Sequence, residues 1–284
     1  MDEATEHLRA LARRIVAEAL QRGPLRAALL TGSAGRGDAD CWSDIDLLLY
    51  VDELPPEGTL EAIQTAVGGV DPVPKGPRTD AFEGVEFELD GVLTEISYVT
   101  VARAEWRLDQ ILAGVEELDS PLHKVALGVI DGLALHGEEL IDEWRARLRA
   151  FPEPLRRAMI RAYWVELFPL WYWQDAIAVR DAELWRIDTL ADGAFRVLGV
   201  LAALNRVYYS RFHLKRTRAL TVQLTLAPAN LADRIESLFR LPPREAADEL
   251  GRLAEETQDL VAAELPDVDL PLRYAPGTRR LPWA

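Results

Sequence analysis

The segment GVEFELDGVLTEISYV, Gly84 to Val99, restricts the fold more than any other part of this chain. Apolar and polar residues alternate on both sides of Asp90-Gly91. That dipeptide suits the tight type I′ turn, whose twist matches that of two antiparallel strands. An isolated hairpin is marginal in water, so further strands have to flank this one. Two earlier segments supply them: RAALLTG (Arg26–Gly32) reads as a short buried strand, and IDLLLYVD (Ile45–Asp52) as a second. Residues 3–22 carry Leu8, Leu11, Ile15, Val16, Ala19 and Leu20 at helical spacing and stop at Gly23-Pro24. PEGTLEAIQTAVGG predicts a helix behind the second strand, and Gly68–Asp80, rich in Pro, Gly and Asp, reads as a loop.

Beyond Ala102 the pattern changes to long amphipathic segments divided by Pro121, Gly137, Pro152, Pro154, Pro228 and Pro242-Pro243. Strand alternation does not recur, and there is no internal repeat. The expected fold class is therefore α+β: a small mixed-sheet domain over 1–104, an all-helical domain over 105–265, and a proline-rich tail over 266–284 that lies extended or disordered. No apolar stretch reaches the length of a membrane helix. The N-terminus is charged throughout, and Cys41 is the single cysteine. These features predict a cytoplasmic protein without disulfides.

The net charge is −15. Residues 1–104 hold 9 Lys/Arg against 19 Asp/Glu, and residues 105–284 hold 23 against 28. Such a surface repels polynucleotides and attracts metal ions and cationic small molecules. Solubility alone is the simpler explanation of the same charge.

Asp44 and Asp46, one residue apart at the head of the Leu-rich strand, point to the same face. Two carboxylates on one face repel each other, but they suit Mg²⁺, which takes oxygen ligands and commonly shares them with substrate phosphates. Gly32-Ser33 follows the first strand. A glycine lets the backbone approach a ligand, and backbone N–H groups with the Ser33 hydroxyl can hold phosphate oxygens. Arg36 lies just beyond, with the fork geometry to bind phosphate. A third carboxylate is expected from a neighbouring strand. Glu95 is preferred because it stands mid-strand among apolar residues, with Glu86 and Glu88 as rivals.

The run GSAGRGDADCWSDIDLLLYV resembles the glycine–serine, spacer, Asp-x-Asp signature of the DNA polymerase β-like nucleotidyltransferase superfamily, and in particular antibiotic and minimal bacterial nucleotidyltransferases. The resemblance covers about residues 25–100. It implies that Gly32 and Ser33 hold a nucleoside triphosphate, beside which Arg36 and Ser43 are further candidate contacts, that Asp44 and Asp46 ligate two Mg²⁺ ions, and that Glu95 completes the metal site or acts as base toward the acceptor hydroxyl. A weaker resemblance joins VLGVLAALNRVYYSRFHLKRTRAL to the helical domain that follows such domains in many bacterial proteins. It implies nucleotide contacts from Asn205, from Tyr208 or Tyr209, and from Lys215. Residues 193–232 contain no Asp or Glu, although the chain has 47 such acids. This basic block suits a triphosphate; the alternative is a helix packed by charge on the acidic domain.

The four histidines are scattered, without metal-ligand spacing. Trp164, Trp171, Trp173 and Trp185 read first as helix packing and second as a flat acceptor pocket, with Glu166, Asp175 and Asp181 available to bind amino groups. The function these features imply is Mg-dependent transfer of a nucleoside monophosphate, AMP from ATP, to a hydroxyl of a small molecule such as an aminoglycoside-like antibiotic. The alternatives are AMP transfer to a protein or RNA acceptor of the toxin–antitoxin type, and a non-catalytic nucleotide-binding protein on the same fold.

Overall fold

The computed structural model describes residues 3–114, 121–164, 180–211, 214, 216–268 and 270. The chain divides into two compact units. One comprises Met1–Ile111 with Val125–Ala150, and the other Leu112–Lys124 with Phe151–Ala284.

The first unit is built on a six-stranded sheet: β1 (Ala27–Leu30), β2 (Ile45–Val51), β3 (Val70–Pro74), β4 (Phe82–Leu89), β5 (Val92–Thr100) and β6 (Leu133–His136), in the order β3-β4-β5-β2-β1-β6. β2 and β5 run parallel, and the other neighbours antiparallel. The hairpin turns where the sequence places it, with Asp90 and Gly91 both at positive φ (52° and 80°). Alternation then sorts the side chains. Ile45, Leu47, Leu49, Ile96, Val85 and Phe87 enter a core with Leu8, Leu11, Ile15 and Val16 of α1 (Glu3–Arg22) and Leu60 and Ile63 of α3 (Thr59–Ala66). The opposite face carries Asp46, Leu48 and Tyr50 of β2. There Tyr50 meets the edge of Trp144, at 4.8 Å between ring centroids.

Two expectations are corrected. Gly68–Asp80 is not only a loop, because Val70–Pro74 forms an exposed edge strand on β4. Pro72 and Pro74 are tolerated at an edge because no ladder on the outer side needs their missing N–H groups. The region past 104 is not all helical either. β6 pairs with β1, and α6 (Glu138–Arg149), which brings Trp144, belongs to the same unit. Gly137 makes this return possible. Its φ is +62°, and a Cβ there would lie 2.0 Å from the Arg26 carbonyl oxygen. Helices α4 (Val101–Ala113) and α5 (Pro121–Asp131) each begin in one unit and end in the other.

The second unit is helical among its described residues: α7 (Glu153–Trp164), α8 (Glu183–Leu204), α9 (Thr217–Thr221), α10 (Leu231–Ser237) and α11 (Pro243–Glu264). α8 is its buried centre. Gly199 of α8 accepts the Tyr163 ring of α7 so closely that a Cβ would lie 2.4 Å from it. The carbonyl end of α8 is closed by two side chains. Arg156 donates to the Leu204 oxygen at 2.7 Å, placing a cation at the negative end of the helix. Asn205 donates to the Leu201 and Leu226 oxygens at 2.7 and 2.9 Å and accepts from Leu226 N and Thr225 Oγ1. Among the described residues no helix is long and apolar enough to cross a membrane.

Candidate nucleotide site

Thr31 follows β1, and its N–H donates to the Asp46 carbonyl at 2.8 Å, which fixes the following turn beside β2. The five-residue helix α2 (Gly32–Arg36) starts there. Gly32 has φ +66°, and a Cβ on it would lie 2.9 Å from Asp46 Oδ2. The bare backbone of the Gly-Ser turn therefore rests against the carboxylate of the Asp-x-Asp pair. Gly35 brings α2 flush onto β1, since a Cβ there would meet the Leu30 oxygen at 2.3 Å. Arg9 of α1 clamps the other end of the turn, donating to the Ala34 and Gly35 oxygens at 2.9 and 2.8 Å.

Asp46 and Glu95 are direct register partners on the parallel pair β2/β5, and Glu86 is the direct partner of Glu95 on β4. Three carboxylates thus cross three adjacent strands on one face, with Asp44 two residues before Asp46. Glu88, the other rival for the third acid, is exposed. Lys75, just past β3, was not singled out by sequence. Its Nζ lies 3.1 Å from Glu95 Oε2 and 3.2 Å from Glu86 Oε2. Hydrogen bonds to Glu95 first and Glu86 second raise its pKa above the usual lysine value, so it stays an ammonium.

The remaining first-unit candidates lie in α2 and in the loop that leads from it to the aspartates. Arg36 Nε lies 3.3 Å from Asp38 Oδ1. Its charge also opposes the rise that burial imposes on the Asp131 carboxyl. Ser43 Oγ accepts from the Asp40 N–H at 3.0 Å and closes a turn on it, so this hydroxyl already serves the loop. Ser33 stands in the first turn of α2, and its carbonyl accepts from the N–H groups of Gly37 and Asp38.

Asn205 and Tyr209 lie in the second unit. The Asn205 amide is occupied by the contacts that close α8. Tyr209 is buried, edge-on to Tyr163 at 5.4 Å. The Tyr208 ring packs on Phe151 at 4.8 Å, and burial pushes its phenol well above the ordinary tyrosine value. Lys215, Glu166, Asp175, Trp171 and Trp173 lie outside the described residues. The basic block is largely paired within its own unit: Arg196 and Arg211 with Asp192, Arg206 with Glu153, and Arg218 with Asp233 and Glu236.

Residues 12–116 match the family model for the nucleotidyltransferase domain. They form a nucleotidyltransferase domain of the DNA polymerase β-like superfamily. A solved structure, that of a nucleotidyltransferase-like protein from Exiguobacterium sibiricum 255-15, is similar at 10% identity with a TM-score of 0.41, covering 90% of this chain and 74% of that one. No curated protein matches the chain. The nucleotidyltransferase domain implies a nucleotide substrate, and its family typically uses divalent metals.

The residues present fit such an ion as donors. Asp46 lies on the face that also bears Glu95, Asp44 stands two residues before it, and Gly32 sets bare backbone against the Asp46 carboxylate. Among the described residues no three His, Cys, Asp or Glu side chains converge closely enough to hold a metal by themselves. For Mg²⁺ this is workable, because one or two carboxylates plus substrate phosphates and water complete its shell.

Proposed function

We propose that the protein transfers AMP from ATP to a hydroxyl group of a small, cationic acceptor. The observation that carries this reading is the strand register, which sets Asp46 beside Glu95 on one face with the Gly-Ser turn against Asp46. In this reading Asp44 and Asp46, with Glu95, hold Mg²⁺. Bound there, the ions would neutralise charge developing on the α-phosphate and the departing pyrophosphate. The chain does the positioning. Gly32 admits the phosphate chain close to the backbone, Ser33 and Arg36 supply donors to it, and the α2 turn is held rigid by Arg9. The acceptor oxygen forms a bond to the α-phosphorus, the bond to pyrophosphate breaks with its electron pair leaving on pyrophosphate, and the hydroxyl proton passes to the Glu95 carboxylate. The net charge of −15 favours a cationic acceptor.

The test is pyrophosphate release from Mg-ATP in the presence of a panel of aminoglycosides, with transfer of label from α-labelled ATP followed in parallel. Acceptor-dependent release that Asp46→Asn abolishes supports the reading. Failure to bind ATP in the presence of Mg²⁺ or Mn²⁺ refutes it. Label appearing on the protein itself would move the acceptor from a small molecule to a polypeptide.

A further inference from the structure

Glu95 has competing claims on it. On one side its register partner is Asp46, a member of the metal pair; on the other it is Glu86, directly opposite across an antiparallel pair. Opposed like charges at such positions destabilise a sheet. Lys75 answers this, with its ammonium between the two glutamates at 3.1 and 3.2 Å. It is held there by its own backbone, because Lys75 N donates to the Gly84 oxygen at 2.9 Å on β4. The three side chains are each about one-third exposed (35%, 31% and 33%), so a cation in solution can reach the cluster.

We infer that Lys75 is a built-in counter-cation that holds Glu95 while the metal is absent and competes with the metal for it. The inference rests on the nucleotidyl-transfer reading of the aspartate pair. The Lys75 bridge keeps the third acid paired toward β4. A divalent cation on Asp44 and Asp46 repels the ammonium and attracts Glu95. Glu86 then retains Lys75, so the displaced ammonium never lacks a partner. Metal loading and formation of the complete acid set become one event, driven by exchange of one cation for another at Glu95.

The test is Mn²⁺ binding to the full chain without nucleotide, followed by electron paramagnetic resonance, for wild type, Lys75→Met, Glu95→Gln, the double variant and Asp46→Asn. Lys75→Gln serves as a second replacement, and melting in EDTA checks that each variant folds. The expected result is that Lys75→Met tightens Mn²⁺ about five- to tenfold, the scale expected for removing one nearby positive charge at a partly screened site. In the Glu95→Gln background that gain should shrink to below about twofold, because competition acts through Glu95. An equal gain in both backgrounds makes Lys75 a general electrostatic influence and overturns the inference, as does unchanged or weaker binding in Lys75→Met and Lys75→Gln. In those two cases, loss of Mn²⁺ in Asp46→Asn leaves the nucleotidyl-transfer reading standing. If wild type and every variant fail to bind Mn²⁺ without nucleotide, the inference falls, while the nucleotidyl-transfer reading is decided separately by Mn-ATP binding to the same proteins.

Discussion

Replacing Gly32 by alanine tests the link between the Gly-Ser turn and the aspartate pair. Two costs are separable. The backbone stands at φ +66°, where an L side chain costs about 1 kcal/mol. The new Cβ would lie 2.9 Å from Asp46 Oδ2, and ordinary contact starts at 3.4 Å, so the carboxylate has to retreat by roughly 0.5 Å. Metal–ligand distances tolerate about 0.2 Å. Gly58 supplies the control: its φ is +85° and nothing lies within 4 Å of its would-be Cβ. Gly58→Ala should therefore cost about 1 kcal/mol and leave metal–nucleotide affinity unchanged. Gly32→Ala should cost about 2 kcal/mol and weaken Mn-ATP binding tenfold or more, which corresponds to about 1.4 kcal/mol. Urea unfolding and calorimetric titration of both variants measure the two quantities. Equal stability loss with unaltered Mn-ATP binding in both would show that Gly32 is a turn glycine only.

Asp44→Asn and Asp46→Asn should each abolish Mg-dependent turnover while leaving the melting temperature in EDTA unchanged or higher, since each removes one of two like charges; marked destabilisation by both would make them structural. Asn205→Ala removes four hydrogen bonds around the end of α8 and should cost about 2–3 kcal/mol in urea unfolding. A fall in ATP affinity without that loss would mean the amide serves the nucleotide instead. His123 is buried beside Tyr208, and burial lowers its pKa to about 4. The unfolded chain takes up this proton near pH 6.5, so it binds more protons than the folded one between those values. Stability should fall as pH drops from about 6.5 to about 4, by at most roughly 3 kcal/mol. His123→Phe should flatten that slope in pH-dependent denaturation, and an unchanged slope would assign it to other groups.

The hairpin around Asp90-Gly91 was legible because its signal is local: a turn dipeptide and two alternating flanks. The aspartate pair was legible because two carboxylates at a strand head have few structural uses. β3 was hidden by Pro72 and Pro74, which suppress any strand pattern although an edge position tolerates them. β6 was hidden by its brevity, since LALH shows no alternation and stands among residues with helical spacing. Lys75 could not be found by spacing, because its partners are brought to it only by the pairing of β3, β4 and β5. Asp46, Glu95 and Glu86 illustrate the general limit: each is visible in its own strand, but their adjacency exists only in the register. Four arginines of the acid-free block, Arg196, Arg206, Arg211 and Arg218, find carboxylates outside it, at Asp192, Glu153, Asp233 and Glu236, and no spacing in the sequence announces those pairs.

The sheet closes late in the life of the chain. β1 gains β2, which ends at Val51, about twenty residues after it is made, but its other neighbour, β6, begins more than a hundred residues downstream, after the chain has lent residues 112–124 to the second unit. At about 5–20 residues per second, a ribosome needs roughly 5–20 s to deliver it. For that interval the apolar strand Ala27–Leu30 has one open edge, and Tyr50 waits for Trp144. An open apolar edge is what chaperones bind and what other nascent chains pair with. Yield during synthesis should therefore depend on translation speed between residues 50 and 136, where slow codons prolong the exposure and fast ones shorten it.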